Sequence, residues 1–378
     1  MADKQRDWPT SPGLRLEAKV GSRLVGGAAR TSPTVAPWHS DRVTTQPARS
    51  RATLTDISSR AWEHPADRGA LVALRKLKGF DTLLKAMSGL FNERAVRLVY
   101  LGSAVRADER QFSRLHRLLG EVGRTLDAPE LPELYVIANP VPGALTIGMN
   151  KPFIVLNSGT VDLLDEEELR FVVAHELGHA MSGHAVYQTL LQRMIMLSGV
   201  LTVVPGGSLG LRAIMAGLYE WSRKAELSAD RAGLLATQDP AVVTRVHMKL
   251  ASGGHLGDLD ATSFFAQGQE YDDADLRDSV LKLLLIENRS HPFLVVRAAE
   301  VRRWVDSGEY TRILSGDYPR RQDDDSAKVS EAAAAAARSY TETFKQSQDA
   351  LGKMVHDVAG VLGSVKLWLD EQWRRGQD

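Results

Sequence analysis

Residues 165–184 read Asp-Glu-Glu-Glu-Leu-Arg-Phe-Val-Val-Ala-His-Glu-Leu-Gly-His-Ala-Met-Ser-Gly-His, and this stretch decides how the chain is read. It holds the pattern H-E-x-x-H as His175-Glu176-Leu177-Gly178-His179. Imidazoles four residues apart share one helix face, about 40° apart at roughly 3.6 residues per turn, and both can reach one metal ion. Glu176 lies about 100° round from His175, beside that ion rather than on it. There it is placed to take a proton from a water that the metal activates. The surroundings predict a helix from about Asp165 to Leu191. Asp165 stands as N-cap, and Glu168 three residues later completes a capping box. The acidic first turn, Glu166 to Glu168, suits the positive end of the helix dipole. Phe171, Val172, Val173 and Ala174 anchor the helix in a core, and Gly178 lets another backbone or a substrate come close. Histidine is scarce, 10 in 378 residues, so a chance match to three fixed residues is on the order of a per cent or less.

A catalytic zinc usually takes three protein ligands and keeps one position for water. The chain has no cysteine, which excludes thiolate zinc sites, disulfides and Cys-held iron–sulfur clusters. The third ligand is therefore sought among downstream carboxylates. Glu226, in Arg223-Lys224-Ala225-Glu226-Leu227-Ser228-Ala229-Asp230, is the best candidate. Asp230 is four residues on and shares its face. Ligating histidines commonly hand their second ring N–H to a carboxylate, so Asp230 is read as the partner of His175 or His179. The plain alternative is a solvated face pairing with Arg223 or Arg231.

H-E-x-x-H followed by E-x-x-x-D resembles the gluzincin class of metallopeptidases. Within it, the chain resembles the family of HtpX and the type 1 CAAX prenyl protease. The HELGH core is followed by His184, Glu226 to Asp230 matches the second motif, and the β-rich segment around Asn139, Pro142 and Gly143 lies just upstream. His291-Pro292 with Arg297 resembles the family's late His-Pro segment. The resemblance covers about residues 62–305. It implies a zincin-like catalytic domain and an edge strand that holds substrate. It also implies several membrane spans, from which this chain departs: it has only the broken run Met194–Leu211. His184, nine residues from His175, is expected on roughly the opposite face of the helix and outside the zinc site, with a structural hydrogen bond as its role. His291 is read either as an oxyanion stabiliser or as a helix-start histidine.

Outward from the motif, Leu134–Ala138, Leu145–Gly148 and Phe153–Asn157 are short β-rich runs punctuated by Asn139-Pro140, Pro142-Gly143 and Asn150-Lys151-Pro152. They predict a small antiparallel sheet or meander. Helical periods are expected over Asp67–Leu90, Glu109–Leu126, Ala213–Thr237, Ala241–Ala251, Asp275–Glu287 and Phe293–Ser307. Ala95–Leu101 reads as the end of a helix or a strand. Met194–Leu211, split by Pro205-Gly206-Gly207, is too broken to span a bilayer in pieces; it is read as a buried helical hairpin or as a segment that touches a membrane. Residues 1–60 are expected to be a disordered tail, with order starting near Trp62. Residues 61–320 form the peptidase domain, and 321–378 an acidic linker with a C-terminal amphipathic helix whose seam runs Leu351, Met354, Val358, Val361, Val365, Trp368.

Lys plus Arg number 47 and Asp plus Glu 47, without the basic surplus of a nucleic-acid binder. No G-x-x-x-x-G-K-[ST] loop or G-x-S-x-G elbow is present, and residues 1–20 lack the apolar core of a signal peptide. The expectation is a mainly helical α+β protein in the cytoplasm, with peripheral membrane contact through 194–211 or the C-terminal helix. It would bind one zinc per chain through His175, His179 and Glu226, use Glu176 as base and hydrolyse peptide bonds of protein or peptide substrates. The alternative is a zinc-stabilised scaffold or membrane-associated binding protein with little turnover.

Overall fold

The β-rich run Phe153–Asn157 becomes a central strand of the sheet. It is buried at four of its five positions. As β4 it joins β1 (Ala104–Arg106), β2 (Leu134–Ile137) and β3 (Ala144–Ile147) in a sheet of order β1-β2-β4-β3. A computed structural model of the protein describes residues 50–76, 92–201, 207–273, 293–324 and 333–334, all within one unit spanning 50–378. The sheet is mixed rather than the expected antiparallel meander. β2 and β4 run parallel, Leu134 opposite Ile154, while β1–β2 and β3–β4 are antiparallel. The segment after β2 carries Pro140 and Pro142, which have no N–H to give to a ladder. The chain therefore passes beyond the central position, forms β3 at the edge and returns as β4. Gly148 makes that return: its φ is +132°, and a Cβ there would lie 2.9 Å from Pro152 Cα.

The helices follow from local signals. α1 spans Pro65–Lys76, α2 Glu93–Ser103 and α3 Ser113–Thr125. α3 starts four residues later than its period suggests, because Asp108 Oδ1 accepts from the backbone of Arg110 and Gln111 and holds that stretch in a turn. Phe112 is left outside the core, while Leu115, Leu118, Leu119 and Val122 are buried. After β4 comes the short α4, Ser158–Leu163.

α5, Glu166–Met181, is the motif helix. Its capping box forms as expected: Asp165 Oδ1 accepts from Glu168 N at 2.9 Å, and Glu168 Oε2 accepts from Asp165 N at 2.9 Å. Residues 168–179 are all buried, as befits a helix that is covered on every side. The expected single helix to Leu191 is broken. Gly183 takes the left-handed conformation, φ +70°, a low-cost choice for a residue without Cβ. α6 then starts afresh at His184 and runs to Leu201.

α7, Gly207–Thr237, packs against both α5 and α6. α8 (Pro240–Ser252), α9 (Ala261–Asp273), α10 (Leu294–Asp306) and α11 (Glu309–Leu314) complete the described α-helices. One apolar core joins α3, the inner face of β2 and β4, α5, the end of α7, α8 and α10. It also takes in Leu54 and Ile57, from the stretch assigned by sequence to the tail. Leu54 N donates to Thr125 O, and Ile57 bridges to Arg320. Two isolated apolar residues in a polar run carry no period, which is why the sequence does not signal them. Asp324, in the expected acidic linker, likewise accepts from Ser58 Oγ at 2.6 Å. Among the described residues no helix is long and apolar enough to cross a membrane. The Asp275–Glu287 helix, the C-terminal seam and most of the N-terminal tail lie outside the described residues.

Candidate active site

α5 and α7 approach closely because the residues between them are small. Ala225, Ala229 and Ala232 of α7 are fully buried, and a Cβ at Gly178 of α5 would lie only 2.6 Å from Ala232 Cβ. This approach brings Glu226 of α7 onto the face that carries both motif histidines. His175 Nε2 is 3.2 Å from His179 Nε2 and 3.4 Å from Glu226 Oε2; His179 Nε2 is 3.3 Å from Glu226 Oε1. One donor atom from each of the three lies within 4.8 Å of the others, and all three side chains are buried.

The surrounding contacts fix the two rings. Asp230 Oδ1 stands 3.0 Å from His175 Nδ1, so the partner expected of Asp230 is His175. Arg297 of α10 donates to both Asp230 oxygens, at 2.7 and 2.5 Å, and its Nη1 is 3.1 Å from Glu226 Oε2. His184 does not lie on an opposite face. The break at Gly183 swings it back, and its Nδ1 meets His179 Nδ1 at 3.0 Å. His184 Nε2 in turn meets Asp67 Oδ2 of α1 at 3.0 Å. Glu176 faces β3: Thr146 Oγ1 is 2.7 Å from Glu176 Oε2 and 2.9 Å from its carbonyl oxygen.

The structure thus brings His175, Glu176, His179, Glu226 and Asp230 together, while His291 lies outside the described residues. Asp67 and Thr146 carry no sequence signal, since each arrives from a distant element with no spacing to the motif. Arg297 was marked only through the resemblance.

The profile of peptidase family M48 matches residues 109–305, more than half of the chain. The chain is a member of peptidase family M48. It is therefore a metallopeptidase. It is 37% identical over 265 residues to the plastoglobule-localized metallopeptidase 48, chloroplastic, of Arabidopsis thaliana, covering 68% of this chain and 76% of that one. Against a protease HtpX homolog of Caldanaerobacter subterraneus subsp. tengcongensis the identity is 29% over 130 residues, 34% of this chain and 40% of that protein. Against one of Syntrophobacter fumaroxidans it is 24% over 204 residues, 46% and 70% respectively. No solved structure matches the chain.

In this M48 peptidase the donor set suits its metal. Two imidazole nitrogens and a carboxylate, with no sulfur, match the ligands of catalytic zinc sites such as His₂Glu. Charges around the set are uneven. Burial opposes charging of His175, but hydrogen bonds to Asp230 and Glu226 outweigh it and lift its pKa to about 9. Burial dominates at His179 and lowers its pKa to about 4, against the pull of Glu226. Burial raises Glu176 to about 7, against the pull of His175 and the Thr146 hydroxyl. Asp230 is buried, which would raise it, yet Arg297 holds it well below the usual carboxylate range.

Two cavities of the M48 domain meet at Glu176 and Glu226. One, of about 1030 Å³, runs past Gly143, Ala144, Val172, Leu250 and Val295. The other, of about 310 Å³, runs past Leu145, Thr146, Leu191 and Tyr219. Ala144 of the edge strand β3 lines both, and Leu145 and Thr146 of that strand line the second.

Proposed function

We propose that this M48 metallopeptidase is a zinc-dependent endopeptidase in which His175, His179 and Glu226 hold one zinc ion and Glu176 is the catalytic base. The observation that carries the reading is the convergence of two ring nitrogens and Glu226 beside a buried carboxylate whose pKa is raised toward neutrality. When bound there, zinc supplies Lewis acidity, polarising a scissile carbonyl and making water a stronger acid. The chain's own residues supply the rest. Glu176, near pH 7 in its raised state, accepts the proton of the attacking water and returns it to the departing amine. Thr146 keeps the Glu176 carboxylate turned toward the site by its 2.7 Å contact. Asp230, clamped by Arg297, orients His175.

An extended peptide pairs with the outer edge of β3, with side chains entering the two cavities on either side of Glu176. Backbone pairing of this kind is sequence-tolerant, so the substrates are proteins or peptides of varied sequence. The scaffold alternative is disfavoured by Glu176, since a structural zinc site needs no base and closes its fourth position with protein. The apolar run 194–211 and the C-terminal seam support peripheral membrane contact from the cytoplasm, which fractionation with and without high-pH extraction tests. The activity itself is tested by casein cleavage under chelator and zinc. Loss with chelator and recovery with stoichiometric zinc is expected; full activity after complete metal removal contradicts it.

A further inference from the structure

The two ligand histidines are held by different means. His175 hands its Nδ1 directly to Asp230. Among the described residues the partners of His179 Nδ1 are not carboxylates: His184 Nδ1 stands at 3.0 Å, with Gln188 Nε2 farther off at 3.5 Å. Behind His184 stands Asp67 Oδ2 at 3.0 Å. Asp67 is fully buried and is locked by two donors, Trp221 Nε1 at 2.9 Å on Oδ1 and Ser228 Oγ at 2.6 Å on Oδ2. Ser228 is pinned as well, accepting from His64 N at 2.9 Å. His184 stacks edge-on against Trp221, ring centres 5.6 Å apart.

We infer that Asp67, acting through His184, is the positioning residue that fixes the tautomer and ring plane of His179 as a metal ligand. The inference rests on the zinc assignment above. Its logic is one of proton direction. A ligating Nε2 must be a bare lone pair, which leaves the proton of a neutral His179 on Nδ1. That N–H needs an acceptor, and at 3.0 Å the acceptor is His184 Nδ1. A neutral His184 with a bare Nδ1 carries its proton on Nε2, where a carboxylate receives it. Asp67 is ionised-carboxylate chemistry: its other contacts are donors, so it accepts from all three. Each link permits only one orientation of the next. The break at Gly183 is what makes the link possible, because a continuous helix would carry His184 away from His179.

The Asp67→Asn variant tests this. A carboxamide cannot accept from Trp221, Ser228 and His184 together. If its NH₂ faces His184, the His184 proton moves to Nδ1 and confronts the His179 N–H. If it faces Trp221, two donors confront each other. Residues behind metal ligands typically contribute 10–100-fold to affinity. Zinc affinity, measured by chelator competition on the full chain, is expected to fall about 10–100-fold in Asp67→Asn and in His184→Leu. His184→Gln can accept from His179 and donate to Asp67, and is expected to stay within a few-fold of wild type. Imidazole ¹⁵N shifts of the zinc-loaded wild type should show His184 protonated at Nε2 and bare at Nδ1. The relay alone is overturned, with zinc still bound by wild type, by affinity within twofold in both Asp67→Asn and His184→Leu, or by His184 protonated at Nδ1. Equal losses in His184→Gln and His184→Leu also overturn it, since they point to packing rather than proton direction. A wild type that binds no zinc overturns the metal assignment, and the inference with it.

Discussion

Replacing Gly178 by alanine should damage the metal site more than the fold. The new Cβ would lie 2.6 Å from Ala232 Cβ and 3.6 Å from Ala229 Cα. Carbon–carbon contacts settle near 3.5–4.0 Å, so the shortfall at Ala232 is about 1 Å. Neither atom can swing aside, because a Cβ moves only with its backbone. The two helices must therefore separate by roughly that distance. His175 and His179 ride on one of them and Glu226 on the other. Metal sites tolerate displacements of about 0.2 Å in ligand distance, so a shift of about 1 Å is several times too large for the present triad. Stability should change less. Overpacking costs about 1–3 kcal/mol, while Gly→Ala inside a helix returns about 1 kcal/mol, leaving a loss of roughly 0–2 kcal/mol. The assays are urea unfolding of the metal-free protein and zinc affinity by chelator competition. The expected pattern is a small change in urea midpoint with at least a tenfold loss of zinc affinity. Unchanged affinity would refute the claim that Gly178 sets the distance between the ligand helices.

Other outcomes follow from the charges. His175, at about 9, must lose its proton to ligate, whereas His179, at about 4, is already neutral at pH 7; zinc affinity should thus climb close to tenfold per pH unit between about 6 and 8 and flatten near 9, and a pH-independent affinity would contradict the uneven pair. Thr146→Val removes a hydrogen bond that favours the ionised form of Glu176. Its pKa should rise, moving the acid limb of kcat/KM to higher pH with zinc content unchanged; an unmoved limb would remove Thr146 from the site. Arg297→Met leaves Asp230 and Glu226 buried without the guanidinium that pairs with both. A loss of about 3–5 kcal/mol in urea unfolding is expected, and a loss under about 1 kcal/mol would show the pairs to be dispensable.

What could be read from the sequence was what helical spacing encodes. His175, Glu176 and His179 are local, and Glu226 with Asp230 repeats the same four-residue step on a second helix. The structure brings both groups together through Gly178, legible as a place of close approach, and through Ala229 and Ala232, which give no signal by themselves. The capping box was legible because its partners are three residues apart. What failed was non-local or conformational. A single left-handed glycine, Gly183, breaks the motif helix and turns His184 from the face opposite His175 into the neighbour of His179. Strand periodicity gave β2, β3 and β4 but not their order, since alternation of side chains says nothing about which strand takes the centre. α9 gives a weak signal because Phe264 is the large side chain it buries among its described positions. By sequence Asp67 is only the start of an apolar period, and nothing in its own helix announces a role at the metal site.

The most direct test of the account is metal content and casein cleavage measured side by side for wild type and Glu176→Gln. The account predicts one zinc per chain in both and cleavage by wild type alone, because Glu176 sits beside the ligands and not among them. Undiminished cleavage by Glu176→Gln, or cleavage by a wild type that holds no metal, would contradict it.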